Sequence, residues 1–279
     1  MHCKNSTDMK KTFVILFMLL PLLLDAQEKA AYRVTYDCDA LYNRTRNVYR
    51  WNLDIGSTTA VFYSPNYRGH SEAVKALQRT DDIAAAMNAV KQFGSRYPNR
   101  SSLEILMGAP EHGKYTYVNK VGIDQFMYEE NLPAMDWELT DSVKTVCGYE
   151  CHQAKAEVYG RTWTVWYSTE IPIPYGPYVL GGLPGLILEA VDTDGIFHFT
   201  SVGMEDVHDA SEVALYGKTD AVRCTRKKYL ALRKSNAGQT YSEAVESLLG
   251  KGFVTQIVDA SGKDISNQVQ SEKNYLDLK

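Results

Sequence analysis

Residues 31 to 37, AYRVTYD, place Tyr32, Val34 and Tyr36 on one face of an extended chain. NVYRWNLDIG repeats the habit, with Val48, Arg50 and Asn52 opposite Tyr49, Trp51, Leu53 and Ile55. Period-two alternation of this kind marks half-buried strands. TTAVFYS supplies the next and ends at Ser64-Pro65-Asn66, so the opening third predicts an antiparallel meander. The period changes between Ser71 and Phe93. Ser71 is a candidate cap for one helix and Thr80 or Asp81 for a second, in which Ile83, Met87 and Val90 recur at helical spacing.

Strand patterns resume with KYTYVNKVG, QFMYEEN and the long run WELTDSVKTVCGYECHQAKAEVYGRTWTVWYS. LILEAVD and IFHFTSVGM follow after the proline-rich break IPIPYGPYVLGGLPG. Tyr159-Gly160-Arg161 and Asp192-Thr193-Asp194-Gly195 read as hairpin turns. TRKKYLALRK and TYSEAVESLLGKG predict C-terminal helices, the second capped by Thr240 or Ser242. The expected fold is a β-rich α+β domain: a curved antiparallel sheet or open half-barrel, with helices from 71 to 93 and near 225 to 250 packed against it or across its mouth.

At the N-terminus, Lys10 and Lys11 precede an apolar run from Thr12 to Leu24, after which Asp25-Ala26-Gln27 returns to polarity. That is the layout of a cleaved secretory signal over residues 1–26, and the run is shorter than the about 20 residues a spanning helix needs. Residues 27–279 then form a single exported domain with a helical insertion around 71–93, periplasmic or extracellular. The net charge of −4 and the absence of any basic cluster larger than Arg226-Lys227-Lys228 argue against nucleic acid or an anionic membrane surface as partner.

Four cysteines follow the leader: Cys38, Cys147, Cys151 and Cys224. In an oxidising compartment they suggest two disulfides, with three possible connectivities. Taken as a strand, VCGYECHQAKA holds Cys147 and Cys151 about 13 Å apart, too far to bond to each other, so each would pair with Cys38 or Cys224. The same strand turns Cys151 and His152 to opposite faces, which disfavours a metal site with His198 or His208. No metal or cofactor is expected. GGLPGLILE lacks phosphate-loop spacing, and neither a G-x-S-x-G nor an H-E-x-x-H occurs. Glu129, Glu130, Asp136, Glu138, Glu157 and Glu189 are acids a glycosidase could use, but linear sequence makes no two of them converge.

Aromatic residues offer more. In EVYGRTWTVWYS one face collects Tyr159, Arg161, Trp163, Val165 and Tyr167, a set that suits either a ligand cup or the core of a sheet. Downstream, Leu183-Pro184-Gly185-Leu186 has the type II turn combination, with Gly185 supplying the positive φ, while Gly181 and Gly182 allow a close approach or a bulge.

An ordered series runs through this region: Gly148-Tyr149, Cys151, Ala154, Gly160-Arg161, Trp166-Tyr167, Ile171-Pro172, Gly176-Pro177 and the hexapeptide Gly182-Leu183-Pro184-Gly185-Leu186-Ile187. It resembles the signature of the GLPGLI family, exported bacterial envelope proteins often encoded near TonB-dependent outer-membrane transport systems. The opening strands are also distantly similar to the bowl-like, noncatalytic N-terminal domain of some bacterial peptide-N-glycosidases. These resemblances imply a noncatalytic envelope binding or accessory module and carry over no site; the alternation itself offers the cup of Tyr159, Arg161, Trp163 and Tyr167 as the place for a small ligand. The alternatives are a hydrolase acting on glycan or peptide, and a purely structural partner of an outer-membrane receptor.

Overall fold

A computed structural model describes residues 28–237 except 43–44, 78–81, 123, 209–210 and 217–219, and beyond them only 240, 242–243, 246, 256, 264, 266–267 and 276. The signal segment 1–26 and most of the expected helix over 240–252 lie outside the described residues. The strands are β1 (Tyr32–Tyr42), β2 (Thr45–Ile55), β3 (Ala60–Tyr63), β4 (Glu104–Met107), β5 (Lys114–Val121), β6 (Asp124–Asn131), β7 (Glu138–Val146), β8 (Tyr149–Val158), β9 (Arg161–Ser168), β10 (Leu186–Asp192), β11 (Phe197–Asp206) and β12 (Val222–Arg223). All twelve join one sheet in the order β12-β6-β5-β4-β3-β2-β1-β11-β10-β9-β8-β7. Two antiparallel meanders, β1 to β6 and β7 to β11, thus meet along the β1–β11 seam, and only β12 pairs in parallel.

Alternation decides what the sheet buries. In β1, Val34, Tyr36, Cys38 and Ala40 are buried while their neighbours are not. Their face continues through Trp51 and Leu53, Phe62, Ile105, Tyr115 and Tyr117, and on the other meander through Trp163, Val165, Leu186 and Phe199. One face of a flat sheet cannot bury this much against itself, so the sheet must curl. It does: the Tyr115 hydroxyl on β5 lies 2.8 Å from that of Tyr159 in the β8–β9 turn. Six strands separate β5 from β9 in the sheet order, a span of roughly 34 Å if laid flat.

On the opposite face of β3, Val61 and Tyr63 pack with Ala30, Val207 and Val213. Beside them Asp54, fully buried, accepts two bonds from Arg33 at 2.6 and 2.8 Å, one from Ser211 Oγ at 2.7 Å and one from the Tyr63 hydroxyl at 3.1 Å. Burying a carboxylate on a sheet face is tolerable only with such complete pairing.

The expected α+β class does not hold. The protein is mostly β, one large open sheet, and its helices are few and small: α1 (Pro65–Leu77), α2 (Ile83–Arg96) and α3 (Arg226–Ala237) among the described residues. α1 begins earlier than Ser71. Ser64 is its cap, accepting from the Tyr67 amide through both Oγ and carbonyl, and Pro65 opens the first turn, where its missing N–H costs nothing. Asp82, not Thr80 or Asp81, caps α2, its Oδ1 accepting from the Ala85 amide at 2.9 Å. The side chains of Ile83, Met87 and Val90 lie outside what is described.

The expected disulfides also fail, since all four thiols are free. VCGYECHQAKA is not one strand. Cys147 (φ 50°) and Gly148 (φ 86°) form the two-residue turn between β7 and β8, both in the left-handed region as a type I′ hairpin requires. Cys147 sits at that tip, where Sγ donates to the Ser201 carbonyl at 2.7 Å and accepts from Ser201 Oγ at 3.1 Å. Cys38 is buried on β1, with three strands between it and buried Cys151 on β8, and Cys224 lies beside β6 at the far end of the sheet.

Candidate functional site

Prolines at 172, 174 and 177 withhold amide donors and keep the chain after β9 from joining the sheet. It folds into a compact loop tied by Leu186 N to Ile171 O (2.9 Å), Ile187 N to Tyr175 O (3.0 Å) and Gly182 N to Pro174 O (3.0 Å). Glycine permits these approaches. A Cβ on Gly181 would lie 2.6 Å from the Pro174 carbonyl oxygen, and one on Gly176 would lie 2.7 Å from Ile187 Cβ. Facing the loop is the link between β6 and β7, bolted on by the Trp137 indole, whose Nε1 donates to the Gly181 carbonyl at 2.9 Å.

Between link and loop lies a cavity of ≈ 150 Å³, walled by Met107, Met135, Trp137, Tyr175, Leu180 and Gly182 among others. Its walls are predominantly apolar. Trp137 and Tyr175 are half-buried, each presenting ring surface with its polar atom already committed, the Tyr175 hydroxyl to the Thr58 carbonyl at 3.1 Å. Such a site has ring faces and methyls to offer the apolar part of a small ligand. A second, polar depression is lined by Lys114, Glu129, Glu130 and Asn131.

Tyr159, Arg161, Trp163 and Tyr167 are the cup that alternation along the sequence suggests. Arg161, Trp163 and Tyr167 do share a face, but it is the packed interior. Arg161, 2% exposed, donates through Nη1 to Asp192 Oδ2 at 2.7 Å and lies over the Phe197 ring. Tyr159 is not on the strand. It occupies the β8–β9 turn at φ 49°, under the Arg226 guanidinium at 4.2 Å. Of the turn residues, Gly182 carries the positive φ (80°) that had been expected of Gly185. Gly185 is needed for space, since a Cβ there would fall 2.0 Å from the Ser168 carbonyl oxygen.

The remaining candidates are dispersed. Glu189 binds Lys144 (2.7 Å) and His198 (3.0 Å), and the His198 hydrogen bond leads in holding its carboxyl below the usual range despite partial burial. Glu129 pairs with Arg223, His208 with Asp206, and His152 lies against Tyr167. Among the described residues no three His, Cys, Asp or Glu side chains converge as a metal site would require. The sequence reading passed over Trp137, counted as a strand's first residue, and Tyr175, counted within a break. The available signal was a tryptophan closing a short, mostly apolar link, Leu132-Pro133-Ala134-Met135-Asp136-Trp137, between two strand patterns.

Residues 114–226 match the family model described as the N-glycanase peptide, N-terminal domain (PNGase F-II). Two crystal structures of PNGF-II, in space groups C2 and P21, share the fold with TM-scores of 0.50 and 0.51 at 14% identity. They cover 75% and 77% of this chain, which spans only 34% of theirs. No curated protein matches the chain. These findings overturn the GLPGLI reading, because the family model that covers its signature is the N-glycanase one. Much of that signature is what this fold asks of its backbone: positive φ at Gly148, Gly160 and Gly182, and close approaches at Gly176 and Gly185. The distant similarity to peptide-N-glycosidases, noted on the opening strands, has its sequence match further along, from 114 onward.

Proposed function

We propose that residues 27–279 act, after export, as a glycan-recognising module of the N-glycanase type, and that the cavity between Trp137 and Tyr175 holds part of an N-glycosylated substrate. The observation that carries this reading is an apolar, aromatic-walled cavity on a fold shared with PNGF-II, within a region resembling an N-glycanase N-terminal domain. The leader pattern supports action outside the cytoplasm, where such substrates are met. No helix among the described residues is long and apolar enough to cross a membrane.

The test is titration calorimetry with an N-glycopeptide and with its bare peptide. Binding to the glycosylated form alone is expected, with at least tenfold loss in Trp137→Ala, about 1.4 kcal/mol, and an unchanged circular dichroism spectrum. Equal affinity for both peptides, or for Trp137→Ala and the parent, rejects the reading. Mass spectrometry of the same mixtures reports whether the chain also releases glycan, separating recognition from hydrolysis.

A further inference from the structure

The four-residue loop between β2 and β3, Gly56-Ser57-Thr58-Thr59, closes with Gly56 N donating to the Thr59 carbonyl at 2.8 Å. That closure leaves the amides of 57, 58 and 59 without backbone partners. All three converge on one guest, the carboxylate of Glu28. Oε1 accepts from the Ser57 amide, the Ser57 hydroxyl and the Thr58 amide (2.9 Å). Oε2 accepts from the Thr58 hydroxyl (3.2 Å), the Thr59 amide (3.0 Å) and the Thr59 hydroxyl. Six donors, three to each oxygen, form an anion nest built for a planar, two-oxygen group. All six are neutral, which favours a monoanionic carboxylate over a tetrahedral dianion.

The nest borders the cavity. Tyr175, whose ring lines the cavity, donates its hydroxyl to Thr58, and Met107 of the cavity wall precedes Gly108, which abuts the same Thr58 carbonyl. Ser57 and Thr58 are exposed, and Glu28 is only half-buried on the N-terminal segment, so the guest is replaceable. Gly56 gives it room: a Cβ there would stand 2.5 Å from Glu28 Cδ.

We propose that the Ser57–Thr59 nest is a binding site for a carboxylate-bearing ligand, an acidic sugar such as a sialic acid on the glycan held at Trp137 and Tyr175, and that Glu28 is its built-in competitor. The acidic-sugar assignment rests on the glycan reading above. The nest itself does not.

The test uses the full chain carrying Glu28→Gln, which vacates the charge and keeps the side chain's bulk. Acetate, compared with chloride at equal ionic strength, is expected to shift the Ser57, Thr58 and Thr59 amide resonances of this variant and to leave the parent unchanged. Adding Gly56→Ala, which places a methyl where the guest sits at an ordinary φ, is expected to abolish the response. A sialylated glycopeptide is expected to bind Glu28→Gln at least tenfold more tightly than the parent does, with no such gain for the desialylated form. No acetate-specific shift overturns the proposal, even if the desialylated glycopeptide binds and the glycan reading survives. Acetate shifts that a peptide C-terminus reproduces and the sialylated glycan does not would overturn the acidic-sugar assignment while leaving the nest a carboxylate site.

Discussion

Gly182 and Gly185 stand three residues apart and answer to different constraints. A methyl on Gly182 meets nothing within 4 Å, so Gly182→Ala costs only the strain of an L-residue at φ 80°, about 1 kcal/mol. A methyl on Gly185 collides with the backbone of Ser168, which is held in β9 and cannot yield cheaply, so Gly185→Ala is expected to cost about 3 kcal/mol or more. Urea titrations of the two variants check the order, and equal midpoints would contradict it. Sequence marked both glycines as structural but assigned their roles the wrong way round. Proline followed by glycine signals a turn, whereas the collision at Gly185 depends on a strand seventeen residues earlier. Arg161 shows the same limit. Its place on the face was legible, but its partner Asp192 was not, and the pair makes it part of the core. Asp192→Ala, which removes a carboxylate that pairs with the buried Arg161 guanidinium and accepts from the Phe197 amide, is expected to cost about 3–5 kcal/mol. Thermal melts read that loss directly.

Burial opposes the charge of Glu28, but the bonds from Ser57, Thr59 and Thr58 outweigh burial and bring the carboxyl down from 4.5 to about 2. A folded-state value below the unfolded one stabilises the fold above pH 4.5, and that contribution disappears as the pH falls through about 2. The melting temperature of the parent minus that of Glu28→Gln is therefore expected to shrink between pH 5 and pH 2, with acids common to both cancelling. A difference that stays flat across the window would show that the nest does not favour the charged form.

At the scale of elements, strands were legible wherever one face is wet, because alternation then writes burial into the chain. β1 shows it plainly at Val34 and Tyr36, and so does the outer half of β2, where Arg46, Val48 and Arg50 are exposed and Asn47 and Tyr49 are not. The β7–β8 hairpin was hidden. Cysteine seldom takes the left-handed conformation, so Cys147-Gly148 lacks the Asn-Gly or Asp-Gly signal that usually announces a type I′ turn. α1 was placed late for the opposite reason: Ser64-Pro65 fits both the end of a strand and a helix cap with proline in the first turn. α3 was visible, but its role comes from tertiary packing. Its Tyr229 is fully buried against Tyr117 and Tyr128, with its hydroxyl accepting from Asn119 Nδ2 at 3.1 Å. Tyr229→Ala is expected to cost about 3–5 kcal/mol. Hydrogen exchange is the discriminating measurement, because loss of protection should appear first in α3 and the adjoining β5 and β6. Uniform loss would mean that α3 has no independent stability.

Across the whole molecule, two meanders that are each continuous in sequence become one sheet only through β1 and β11, strands from opposite ends of the described fold. No local pattern records that pairing, which is why the sequence yielded strands and curvature but not their order. Tyr36 fastens the seam. It lies opposite Ser201 where the β1–β11 register shifts, and its buried hydroxyl crosses β11 to reach the Ile187 carbonyl on β10 at 2.7 Å. Trp51 in one meander and Trp163 in the other are both buried, stacking or packing on Phe62 and Phe199, which touch each other across the interior. The two halves of the core are therefore one body. The indole N–H resonances of Trp51 and Trp163, followed in one and the same protein, are expected to lose intensity at the same urea midpoint, and Tyr36→Phe should lower both equally, by the about 1 kcal/mol of one buried hydrogen bond. Separate transitions, or a Tyr36→Phe shift seen by one indole alone, would mean that the meanders fold as independent units and that the seam merely joins them.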